Sequence, residues 1–276
     1  MDKKAKKIIL KSKKQVYSDR LGNNPSMFHG EGYEFSELRE YLYGDDVRKI
    51  DWKSTAKLGK PFVKVYKEER ELNIVVASML NGSTYFGTHK QKIEIIAQLV
   101  GLLGFLAIKN SDRFTHAIFA DKLYELTKSS KKFFSVHQAV ESVVEFQPLG
   151  KEGDFAGMVD TLYRRIAKKS LLFLVSDFVG EIDLRILAKK HDVVALIVRD
   201  RFEENPQELG LLNMIDMESQ KSFEGMIDLA AIKRYKKALH DNDEKLYAHF
   251  KKHSIRFVKI YTDDAVAMRL ARLFRR

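Results

Sequence analysis

The chain has 276 residues, 45% of them hydrophobic, enough apolar side chain to bury one large core and a small accessory layer. It contains no cysteine, which excludes disulfides, thiolate zinc sites and cysteine nucleophiles together. Its formal net charge of +11 is uneven. Lysines crowd the start, and Arg269, Arg272, Arg275 and Arg276 crowd the end; basic ends of this kind act either as solvated tails or as contacts for nucleic acid, anionic lipid or acidic protein.

The opening lysines are followed by only Ile8, Ile9 and Leu10, too short a run for a signal-peptide core. The longest apolar run, residues 95–108, is about 14 long and reads as a buried helix, short of the roughly 20 residues that span a bilayer. A cytoplasmic location is expected.

Residues 30–72 carry charged, glycine and aromatic residues at spacings that amphipathicity does not explain. Gly44, Asp45 and Asp46 read as a turn that hands over to a short helix with an aspartate cap. Gly59 ends that helix in a left-handed conformation, and Pro61 prevents its return. Arg39 and Arg48 stand near several carboxylates, so internal ion pairs are expected, and Trp52, the only tryptophan, reads as a docking anchor.

From residue 72 onward, short β-rich runs alternate with long amphipathic stretches, the pattern of a doubly wound, mostly parallel α/β sheet with helices on both faces. Strands are expected at 73–78, 170–176, 192–198 and 255–260, with helices at about 89–109 and 264–274. Residues 113–120 and 122–128 read as a hairpin whose second strand is an antiparallel edge. Ile182, Ile186 and Leu187 recur at helical spacing. Residues 211–229 read as two strands around a polar turn at Ser219 and Gln220, a β-hairpin inserted at 205–230. The expected organisation is therefore a basic tail and signature segment at 1–71 and an α/β domain at 72–276, with the first seventy residues and the hairpin forming an accessory layer beside the sheet.

The signature runs Arg39-Glu40-Tyr41, Gly44-Asp45-Asp46, Arg48 and Ile50-Asp51-Trp52. With the later landmarks Phe86-Gly87, residues 174–178, residues 191–196 and the closing sixteen residues, it resembles the bacterial family known only as domain of unknown function fifty-eight. The resemblance runs from about residue 20 to the end. Members of that family are similar to von Willebrand factor type A domains, which often carry a metal-ion-dependent adhesion site at the carboxyl ends of the strands. The resemblance also implies a setting beside MoxR-type AAA+ ATPases, as an adaptor or co-chaperone that handles the ATPase's client protein.

The adhesion site of such domains uses an aspartate and two serines in a first loop, a threonine in a second and an aspartate in a third. Laid on this chain, those positions are Met79, Asn81 and Ser83, then Gly153, then Asp177. A hard divalent cation needs several oxygen ligands, and a thioether is a poor one, so the site is expected to be degenerate and to hold no metal. Met79 then reads as apolar filler. Asp154, just after Gly153, reads as a helix N-cap.

No catalytic constellation stands out. His249 and His253 share a helix face but lack a third ligand at typical spacing, so a solvated face is expected. His89 and His137 belong to no motif. No G-x-S-x-G elbow and no Walker-type loop occur. The expected function is a non-catalytic protein-interaction module without a cofactor. The second reading is a nucleic-acid or anionic-membrane binder acting through its basic termini.

Overall fold

A computed structural model of the chain describes residues 2–18, 34–67 and 71–274. Residues 30–33 and 68–70 of the signature stretch, and Arg275 and Arg276, lie outside the described residues. The chain divides into two compact units, one of residues 1–27 and 73–276 and the other of residues 28–72.

The larger unit is built on a six-stranded sheet of β3 (Asn73–Met79), β4 (Arg113–Phe119), β5 (Leu123–Leu126), β6 (Leu171–Ser176), β7 (Asp192–Arg199) and β10 (Arg256–Tyr261). The spatial order is β10-β7-β6-β3-β4-β5. All neighbours are parallel except β5, which returns antiparallel along β4 as the edge. Strands β6 and β7 are almost wholly buried, because helices cover both faces and leave no side for water. The fold is a doubly wound α/β sheet, as the alternation of strands and helices predicts.

One face carries α3 (Lys92–Lys109), whose side chains from Ile93 to Ala107 are buried with the single exception of Glu94. A helix apolar all round must be enclosed on every side; α3 packs on the sheet and also against α1 (Lys3–Tyr17), α4 (Phe133–Glu145) and α9 (Val266–Phe274). Close approach is possible because α3 has glycines there. A Cβ on Gly101 would lie 3.0 Å from the Ser12 hydroxyl, and one on Gly104 would lie 2.8 Å from Val136. The other face packs Val75, Ala77 and Met79 against α5 (Phe155–Arg165), α6 (Arg185–Lys190) and the second half of α8 (Leu229–Lys252).

The basic start departs from its expected form. Residues 3–17 are not a solvated tail but an amphipathic helix that buries Ala5, Ile9, Ser12 and Val16 and leaves its lysines outside. Its apolar positions are separated by lysines, which hides their four-residue period. Asp2 caps it by accepting from the Lys4 N–H at 3.2 Å. Residues 181–184 are not helical either; α6 begins only at Arg185. The inserted hairpin is present as β8 (Gly210–Ile215) and β9 (Ser222–Ile227). Among the described residues, no helix is long and apolar enough to cross a membrane.

His116 on β4 is fully buried, with its Nε2 3.1 Å from the Ser78 hydroxyl on β3. Burial pushes its pKa down to about 3, so the folded protein keeps it neutral. An unfolded histidine titrates near 6.5; stability from this group is complete above that value and is lost as pH falls toward 3, by about 1.4 kcal/mol per pH unit. Urea unfolding from pH 7 to pH 4 should show this slope, and His116→Gln should flatten it. Truncating α1 at its centre, Ile9→Ala, should cost about 2 to 5 kcal/mol and open the lysines of residues 3–14 to trypsin, which should cut them slowly in the unaltered protein.

Candidate functional site

In an open α/β sheet the ligand crevice lies outside the carboxyl ends of the strands, where the winding reverses direction. Here that point falls between β3 and β6, since β4 continues to one side and β7 and β10 to the other. The loop leaving β3 runs through Asn81 into a short 3-10 turn, Gly82–Tyr85, and the loop leaving β6 begins with Asp177.

A lysine is buried at this point. Lys92, the first residue of α3, is 1% exposed, and its ammonium lies 2.9 Å from Asp177 Oδ2 and 2.6 Å from Glu203 Oε1. The Ser83 hydroxyl donates to the same Asp177 oxygen. Burial alone would pull the Lys92 pKa down, but the two carboxylates outweigh it and the net direction is upward. Burial would likewise raise Asp177, yet the charges of Lys92 and Arg199 and the Ser83 and Lys92 hydrogen bonds hold it at about 2. Both groups are therefore charged at neutral pH.

These residues do not fit a divalent cation. The carboxylate best placed to hold one is already bound to an internal ammonium, and Met79 is turned into the core beside Phe119 and Phe155. Gly153 has no side chain to offer, and a Cβ there would sit 3.5 Å from Asn81. Asp154 caps α5 by accepting from the Gly157 N–H at 2.8 Å, as its position before an amphipathic run predicts.

The crevice is also covered. The tip of the β8–β9 hairpin lies on the β3 loop and on the loop before α5: Asn81 Nδ2 donates to Glu218, and the Met217 carbonyl accepts from the Gly150 N–H at 2.9 Å. Gly82 permits this approach, because a Cβ there would lie 2.2 Å from the Met217 oxygen. Asp200, at the end of β7, ties the β3 loop to the loop after β10 by accepting from the Thr88 N–H at 3.0 Å and the Thr262 hydroxyl at 2.6 Å. Beyond it Arg199 meets Asp243 at 3.0 Å, Asp243 meets Lys259 at 2.8 Å and Lys259 meets Glu204 at 2.6 Å.

The smaller unit holds the signature. Strands β1 (Glu34–Glu40) and β2 (Phe62–Lys67) pair antiparallel, joined through a 3-10 turn at Val47–Lys49 and α2 (Trp52–Leu58). Arg39 grips Asp45 with two hydrogen bonds of 2.8 and 2.7 Å, and Asp45 also accepts from the Leu42 N–H. Asp46 caps the 3-10 turn and pairs with Arg48. Asp51 caps α2, and Gly59 ends it at φ +72°. Gly44 turns at φ +103°. Glu40 pairs with Lys60 at 3.1 Å, the Tyr41 N–H donates to Pro61, and Ile50 bridges to Val63. Arg39, Glu40, Asp45, Asp46 and Arg48 thus bond to residues of the same unit, and Trp52 is 70% exposed and Tyr43 fully so.

Residues 37–245 match the family described as Protein of unknown function DUF58. The chain belongs to this family. Its relatives include two proteins described only as uncharacterized, Mb1516 of Mycobacterium bovis and Rv1480 of Mycobacterium tuberculosis, each 28% identical over 222 residues that cover 78% of this chain and 69% of the relative. Among solved structures, the hypothetical protein BatB of Bacteroides thetaiotaomicron and an aerotolerance-related membrane protein of Bacteroides fragilis align at 9% identity with TM-scores of 0.46, over 73% of this chain and 96% of each of theirs.

Sequence reasoning missed Lys92, Glu203 and Asp200. Lys92 does leave a trace: a lysine at the first position of an otherwise apolar helix opposes the helix dipole, so it needs a carboxylate to hold it. The two histidines read as a solvated pair are not fully solvated. His249 is half-buried, and its Nε2 accepts from the Leu184 N–H at 3.0 Å. Among the described residues, no group of three or more histidines and carboxylates is placed to hold a metal ion.

Lys92→Met would leave Asp177 and Glu203 without their partner, and loss of one member of a buried ion pair costs about 3 to 5 kcal/mol; urea unfolding should read that loss at neutral pH. Replacing all three, with Asp177→Leu and Glu203→Leu added, should recover much of it. Because the Asp177 pKa is depressed, its stabilisation is present above about pH 4 and is lost as pH falls toward 2. Millimolar magnesium should leave the Tm unchanged, whereas a site at hundredfold saturation would add about 2.7 kcal/mol.

Proposed function

We propose that this DUF58 protein is a non-catalytic protein-interaction module, an adaptor or co-chaperone serving a MoxR-type AAA+ ATPase and its client, built on a von Willebrand factor type A-like domain with a degenerate adhesion site. The observation that carries the non-catalytic reading is the Lys92 ammonium between Asp177 and Glu203, which takes up the crevice where a sheet of this topology receives a small ligand. The partner class rests on the resemblance of the signature and the later landmarks to the family.

The inserted hairpin supports contact with protein. Leu211, Ile215 and Met226 are each more than 60% exposed, and Leu209, two residues before Leu211, is about half exposed. Apolar side chains gathered this densely on a surface mark interaction sites. Leu211 and Met226 are direct partners across the ribbon and so form one apolar patch.

A second reading, binding to nucleic acid or an anionic membrane, is favoured by the exposed lysine face of α1. The two differ in salt dependence, since contacts to phosphates weaken steeply as salt rises.

Co-purification with a MoxR-type AAA+ ATPase of the same organism, tried with ADP, with a non-hydrolysable ATP analogue and without nucleotide, should give a complex that survives raised salt. Leu211→Asp with Met226→Asp should abolish capture while the Tm stays within a degree or two of the unaltered protein. No capture in any nucleotide state would sink the adaptor reading. Binding to DNA or anionic vesicles that disappears with salt would put the second reading in its place.

A further inference from the structure

A groove of about 760 Å³ opens between α5, the loop that follows β6 and α8. Its floor is apolar: Val159, Ile182 and Leu246 line it, and Val159 and Leu246 belong to the core cluster beneath. Ala156 and Ala238, one on each flanking helix, are short enough to leave the space open. The rim carries four carboxylates, Asp160, Glu181, Asp183 and Asp241, against a single lysine, Lys245.

The rim charges differ in how they are used. Asp160 pairs with Arg164 at 2.8 Å and Asp183 with Arg185 at 2.7 Å. Glu181 and Asp241 are exposed and hold no hydrogen-bonded or ionic partner among the described residues. His249 adds no positive charge: burial holds its pKa down, and its Nε2 accepts the Leu184 N–H. Two free carboxylates therefore face an apolar trough in a chain whose formal net charge is +11.

We propose that this groove is a docking site for a basic amphipathic segment of a partner protein, with an apolar side chain seated on the Val159–Leu246 floor and lysine or arginine side chains paired with Glu181 and Asp241. Charge complementarity selects this occupant. An acidic segment would meet the rim carboxylates, and an uncharged one would leave Glu181 and Asp241 partly desolvated without compensation. The walls are already ordered by the core, so binding costs little reorganisation of this protein. The proposal goes beyond the adaptor reading by naming a surface and the chemistry of what it holds, and it is tested without the ATPase.

The probe is a fluorescein-labelled helical peptide with lysines along one face and leucine and alanine along the other, followed by fluorescence anisotropy at physiological salt. Saturable binding is expected. The double variant Glu181→Gln, Asp241→Asn should weaken it about tenfold, as two partly exposed ion pairs would, and Ala238→Trp, which fills the trough from an exposed helix position, should weaken it at least as much. Both variants should keep the melting temperature of the unaltered protein. A peptide with the same lysines and serine in place of leucine should bind at least tenfold more weakly. The proposal is overturned if the basic peptide shows no saturable binding, if the serine peptide binds equally well, or if both variants bind unchanged. It is likewise overturned if a glutamate-for-lysine peptide binds more tightly at a site that Ala238→Trp blocks.

Discussion

The arrangement of this protein depends on one buried cation. Lys92 enters the carboxyl end of the sheet from the first turn of α3 and bonds carboxylates from two different strand ends, Asp177 after β6 and Glu203 after β7. Neither partner is tolerable alone in that place. A buried carboxylate without a counter-charge costs several kcal/mol, and so does a buried ammonium; together, with the Ser83 hydroxyl on the shared oxygen, they hold three chain segments in one position. A divalent metal would have linked the same loops through ligands. Here the link is a side chain, so it is present whenever the chain is folded and answers to no ion concentration.

The hairpin follows from the same constraint. A crevice whose charges are paired internally leaves its mouth free to be covered. The hairpin tip does so with Asn81–Glu218 and with a main-chain approach over Gly82. Glu218 is itself uneasy there: burial pushes its pKa up, the Asn81 bond opposes that, and the nearby charge of Asp177 raises it further. Outward from the Lys92 triad, Asp200 and the Arg199–Asp243–Lys259–Glu204 chain repeat the same device along β7 and β10, so the end of the sheet that usually recruits ligands is instead held together by internal charge pairs.

Much of the fold was legible because period and burial agree. Residues 170–176 and 192–198 are unbroken apolar runs, and only strands covered on both faces need such runs; the inserted hairpin was readable from its polar turn. What failed did so for local reasons. In α1 the buried positions Ala5, Ile9, Ser12 and Val16 include two small residues, so a sound helical face was masked by lysines and read as a tail. Residues 181–184 have helical spacing but lead into only a short helix, since the Leu184 N–H is taken by His249. At the site, Asn81 and Ser83 stand in one loop, with the Ser83 hydroxyl bonded to Asp177. The residue that decides their chemistry, Lys92, comes from a position no metal-site pattern includes, and long-range pairing of charges has no signature in a single sequence.

The distribution of charge then separates the faces of the molecule. Lysines stand on α1, apolar side chains on the hairpin, and unpaired carboxylates over the trough beside α8. In each case the side chains lie on an element whose other face is fixed to the ordered body of the larger unit: α1 by Ile9 and Val16, the hairpin by its tip on Gly82, α8 by Leu246 and Phe250. On the function proposed above, three chemically distinct surfaces on fixed supports would serve recognition of protein partners, because a rigid surface loses little entropy when it binds. On that reading, a sheet whose carboxyl end is tied by internal charge pairs leaves its exterior for such contacts.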